Sequence, residues 1–131
     1  MMTRKNIITT LIAAMGLFSN CTAQKAVKTL QPKEFISAAK DDSTAVILDV
    51  RRPEEFKEAH LEGAVNLDWL DQSQFVHGMG TFDKSRTYYI YCRSGRRSNA
   101  AATKMQAAGF KVLDMEGGIL RWEELGMPVV K

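Results

Sequence analysis

Residues 87–98 read TYYIYCRSGRRS, and this stretch decides the fold class. Thr87 to Tyr91 is aromatic and β-branched without a charge, the composition of a buried strand. Cys92 to Arg97 is a short turn with one glycine. From Ser98 to Ala108 the chain is alanine-rich, which predicts a helix with Ser98 as its N-cap and Gly109 as its stop. A strand that passes through a tight loop into a helix is the repeating half-unit of an α/β protein.

Working outward, the same alternation recurs. Ala45 to Val50 (AVILDV) is a short continuous apolar run, as expected of a parallel strand buried on both faces. Pro53 opens a helix (PEEFKEAHL) with Glu54 and Glu55 in its first turn, where they favour the helix dipole. Gly63 ends it, and Ala64 to Leu67 reads as another short strand. Asp68 to Asp83 is irregular, a helical turn followed by a Gly78/Gly80 loop. Upstream, a polar lead-in from Gln24 to Thr29 precedes a helix from Pro32 to about Lys40, which Asp41-Asp42-Ser43 breaks. Downstream, Lys111 to Met115 is a strand, Gly117-Gly118 a turn, and Ile119 to Leu125 an amphipathic helix. The expected fold is a three-layer α/β sandwich with a mainly parallel central sheet.

The chain has 131 residues, 45% hydrophobic and 25% charged, which fits one domain and excludes disordered, collagenous and coiled-coil classes. Two cysteines cannot make a disulfide scaffold, and no spacing suggests a metal site, so no metal is expected. At the amino terminus, Arg4 and Lys5 precede twelve uncharged residues, Ile7 to Phe18 (IITTLIAAMGLF). Spanning a bilayer takes roughly 20 apolar residues, so this run reads as a secretory signal peptide over 1–23, leaving 24–131 as the domain. Cys21-Thr22-Ala23 carries small residues where an ordinary signal peptidase reads. Alternatively, Leu17 to Cys21 resembles a lipoprotein signal over 1–20, with Cys21 lipidated. The expected location is exported, periplasmic or, through Cys21, anchored to a membrane. Without Arg4 and Lys5, 16 basic residues face 15 acidic ones, so the formal charge of +3 is partly leader. Three arginines in one loop explain the remaining basic cluster without a nucleic-acid partner.

Ligands of open parallel sheets bind beyond the carboxyl ends of the strands. There the loop of Cys92, Arg93, Ser94, Gly95, Arg96 and Arg97 can curl its N–H groups into an anion-binding nest, and the helix start adds more donors. Each of these groups favours a thiolate at Cys92, which makes it a candidate nucleophile beside a bound anion. Asp49 and Arg51, at the end of the AVILDV strand, are expected to support the loop by an ion pair or hydrogen bond. His60 is expected to fix a loop rather than to act as a base. Phe56 and Trp122 fit the core, and Glu54, Glu55 and Glu58 a solvated face.

From about Val27 to Val130 the chain resembles a single rhodanese domain. The active-site loop is one of four matching segments. The others are LDVRRPEEF (48–56), AHLEGAVNL (59–67) and EGGILRWEELGMPV (116–129), in the family's order. The resemblance implies a sulfurtransferase that moves the outer sulfur of a thiosulfate-like donor to cyanide or a thiol through a persulfide on Cys92. It implies that the N–H groups of Arg93 to Arg97 cradle that sulfur, and that no cofactor is required. The implied partners are a small anionic donor and a thiol or cyanide acceptor, with a protein acceptor as a further case.

Two other readings stand beside it. A persulfide carrier would deliver sulfur only to a partner protein, without turnover. Phosphatase-like and arsenate-reductase-like relatives have five residues between the cysteine and the terminal loop arginine. Here four residues separate Cys92 from Arg97, and Ser98 occupies the longer loop's arginine position. The shorter ring suits one sulfur atom better than a tetrahedral oxyanion.

Overall fold

The computed structural model describes residues 25–131; the expected leader over 1–23 and the alternative lipidation at Cys21 lie outside them. The elements are β1 (Thr29–Leu30), α1 (Pro32–Lys40), β2 (Ala45–Asp49), α2 (Pro53–Glu58), β3 (Val65–Asn66), α3 (Gln72–Met79), β4 (Thr87–Tyr91), α4 (Arg96–Ala107), β5 (Lys111–Met115) and α5 (Gly118–Glu124). The strands form one sheet in the order β1-β5-β4-β2-β3, and every pairing is parallel. The sheet is therefore wholly parallel, and both faces must be covered by the crossover helices.

β4 shows how the sequence achieves this. Alternate side chains point to opposite faces. Tyr88, Ile90 and Cys92 enter one cluster with Phe75 of α3 and Ala101, Ala102 and Met105 of α4. Tyr89 and Tyr91 enter a second cluster with Phe35 of α1 and Ile119 and Trp122 of α5. The AVILDV and TYYIY runs lack polar alternation because both of their faces are core. Trp122 is in the core as expected.

Several boundaries differ from the sequence reading, each for a local reason. α4 begins at Arg96, with Gly95 as its N-cap at φ 104°. A glycine in the left-handed region turns the chain straight into the helix, so Ser98 is not the cap. It lies in the first turn, buried, and its Oγ donates to the Gly95 carbonyl at 3.2 Å. α2 stops at Glu58 because Ala59 becomes extended and His60 forms an antiparallel bridge with Val130. α3 is a full helix rather than a single turn; Asp71 caps it by accepting from Gln74 N–H at 3.2 Å, and buried Phe75 anchors it against Trp69. The edge strand β1, read as lead-in, aligns Thr29 with Asp114 and Leu30 with Met115. Two residues are too few to show a period.

Candidate active site

The loop after β4 is where these elements converge. Cys92 follows directly on Tyr91 and is fully buried. The loop folds over the sulfur: Gly95 N–H points at Sγ from 3.1 Å. Asn99 N–H is the first to bond back into α4, to the Gly95 carbonyl at 3.1 Å. The amides of Arg96, Arg97 and Ser98 thus have no intrahelical partner and are left for a ligand. Gly95 N–H is thus the loop amide on the sulfur, and Arg96 and Arg97 lie in the helix's first turn rather than in the loop.

The carbonyl side of the same loop is clamped by α5. Ile119 N–H donates to the Cys92 carbonyl at 2.9 Å, and Leu120 N–H to the Arg93 carbonyl at 3.1 Å. Gly117 and Gly118, read in the sequence as a turn, permit this approach. A Cβ on Gly118 would stand 2.3 Å from the Arg93 carbonyl oxygen, and the residue has φ 63°.

Asp49 and Arg51 form a buried ion pair with an Nη2–Oδ2 distance of 2.7 Å. Asp49 also accepts from Tyr91 OH at 2.7 Å, immediately before Cys92 in the chain. Arg51 donates on to the Ala59 carbonyl at 2.6 Å. The Tyr91 hydroxyl is pushed far above its ordinary range by burial and the adjacent Asp49 charge. This network joins the exit of β2, the base of the loop and the end of α2, which is bracing geometry. His60 stacks on Phe56 at a centroid separation of 3.8 Å, and its Nδ1 lies 2.8 Å from the Phe56 carbonyl oxygen. Those contacts fix the turn after α2.

The three loop arginines differ. Arg93 and Arg96 are exposed, and among the described residues neither makes an ion pair. Arg97 instead places Nη1 and Nη2 on the two oxygens of Glu55 at 2.8 and 3.0 Å. Glu55 was grouped with a solvated face; α2 carries it to the loop. Hydrogen bonding to Arg97 holds the Glu55 carboxyl below its usual value.

Asp114 is the other residue the sequence reading missed. It lies one residue before the end of β5, beneath the first turn of α4, is 2% exposed, and leaves Oδ1 without a hydrogen-bond partner. Burial pushes its carboxyl up to about 6, against the opposing pull of Ser98 and Asn99. Its only sequence signal was an acid in the apolar KVLDM strand.

A family profile for the rhodanese-like domain matches residues 31–125. The chain belongs to the rhodanese-like family. It is 32% identical over 91 residues to a sulfurtransferase of Allochromatium vinosum, covering 69% of this chain and 82% of that one. It is 30% identical over 84 residues to the thiosulfate sulfurtransferase PspE of Escherichia coli, covering 64% and 77%. A longer cyanobacterial relative matches at 33% identity, and the chain spans 56% of its length. Among solved structures, a rhodanese-related protein from Thermoplasma volcanium superposes with a TM-score of 0.70 at 27% identity, covering 79% and 97%. Membership of the rhodanese-like family supports sulfur transfer as the general chemistry of this domain.

Proposed function

We propose that this rhodanese-like protein transfers sulfane sulfur through a persulfide on Cys92, from a thiosulfate-like donor to cyanide or a thiol. The observation that carries the reading is the Gly95 N–H on Sγ at 3.1 Å, at the point where the first turn of α4 begins with its own unpaired amides. Such donors stabilise a thiolate before transfer and an anionic outer sulfur after it. The Cys92 thiolate attacks the outer sulfur of the donor, forming a new S–S bond. The donor's own S–S bond breaks, and sulfite leaves with the electron pair. The acceptor then attacks the outer sulfur, and Cys92 departs as thiolate.

In this reading the side chains of Arg93 and Arg96, exposed at the rim, attract the anionic donor. Asp49 and Arg51 act as positioning residues through Tyr91 and the end of α2. The buried Cys92 thiol and the amides beside it supply the chemistry, without a cofactor. The test is thiocyanate formation from thiosulfate and cyanide by the protein and by Cys92→Ser. Activity is expected only with the cysteine, and equal rates would remove the assignment. A labile sulfur on Cys92 with no turnover would instead identify a carrier for a partner protein.

We read residues 1–23 as an export leader that delivers the domain to the periplasm, on the Arg4-Lys5 start and the apolar run behind it. The mass of the protein recovered from cells distinguishes cleavage after Ala23 from lipidation at Cys21, and retention of Met1 in the mature protein would refute both.

A further inference from the structure

The terminal arginine of the loop is already occupied. The Nη1/Nη2 edge of a guanidinium matches one carboxylate or one phosphate bidentately, and a carboxylate already seated on that edge offsets the charge that would hold another anion. Arg97 holds both oxygens of Glu55, and the two side chains are only 21% and 28% exposed. Glu55 is itself fixed from a second side, because its Oε1 accepts Arg52 N–H at 3.2 Å as the capping box of α2. Arg97 is the second residue of α4, the helix that the Cys92 loop opens into. Without Glu55, this fork would be free to receive a tetrahedral oxyanion.

We propose that Glu55 is a specificity-determining positioning residue that sequesters Arg97 and so keeps phosphate-like oxyanions out of the loop interior, whereas a thiosulfate-like donor enters by its outer sulfur and keeps its oxyanion end at the Arg93 and Arg96 rim. This deepens the sulfur-transfer reading by naming what the site rejects, and rests on that reading for what it favours. The short ring and the occupied arginine act in the same direction. The ring limits the space for an oxyanion, and Glu55 withdraws the charge that would hold one.

The test is the thermal unfolding midpoint of the full chain as a function of inorganic phosphate, with sodium chloride at matched ionic strength. A ligand that binds only the folded state raises the midpoint according to its affinity. Glu55→Gln keeps an oxygen acceptor for the α2 cap and removes the charge. The expected result is roughly tenfold tighter phosphate binding, the scale of one charge-assisted hydrogen bond. The gain should vanish in Glu55→Gln/Arg97→Gln. Glu55→Ala, which also loses the cap, should show the same gain as Glu55→Gln. Unchanged or weaker phosphate binding in both single variants would overturn the proposal, as would a gain that survives removal of Arg97. No sulfur transfer enters this readout, so its failure and that of the persulfide reading are separable.

Discussion

Asp114 shows how one side chain can set a pH dependence from beneath the site. Its folded value of about 6 lies above the ordinary carboxylate value because burial penalises the charge. The fold therefore prefers the protonated acid. That contribution is fully present below about pH 4 and is lost as the pH rises through about 6. Asp114→Asn should flatten this fall and stabilise the protein near neutral pH by roughly 3 kcal/mol. Thermal melts of the two proteins across this range check it; parallel curves would mean that Asp114 is ionised and paired at all of them. At this scale Cys92 was legible, because a thiol between a strand and an arginine-rich helix start has a distinctive chemistry. Asp114 and Glu55 were not. Which acid is buried, and which is carried to a partner 42 residues away in sequence, depends on packing.

Two glycines separate two kinds of local constraint. Gly95 has φ 104°, yet a Cβ there would meet nothing closer than the Gly117 nitrogen at 3.6 Å. Gly95→Ala should then cost only conformational strain, about 1–2 kcal/mol. At Gly118 the added carbon collides with the Arg93 carbonyl from 2.3 Å, and α5 must give way. Gly118→Ala should lose more stability than Gly95→Ala. It should also lower sulfur-transfer kcat/KM by at least about tenfold, because the bonds from Ile119 and Leu120 orient the loop. Denaturant midpoints and steady-state kinetics of both variants decide this; a Gly118→Ala protein with native turnover would show that the clamp is dispensable. The same region shows where pattern reading stops. The start of α4 was placed at Ser98 because serine is a good cap, but a left-handed glycine three residues earlier captured the helix first. Side-chain preference is a weak local bias, and the backbone geometry of the turn overrides it.

Across the molecule, the parallel sheet makes the site a consequence of the fold. β2 delivers Asp49, β4 delivers Cys92, and β5 delivers Asp114 and the glycine pair, in adjacent strands with matched register. The α/β class was legible in the AVILDV and TYYIY runs because doubly buried strands lose their polar alternation. The two-residue strands β1 and β3 carry no period of their own, and their extents follow from the neighbours they pair with. The convergence of these elements on one buried sulfur leads to a single claim, that Cys92 receives sulfur. The most direct measurement is the intact mass of the protein after thiosulfate treatment without an acceptor. The wild type should gain one sulfur atom that cyanide removes, and Cys92→Ser should gain none. An unchanged wild-type mass, or the same gain in the serine variant, would contradict the account.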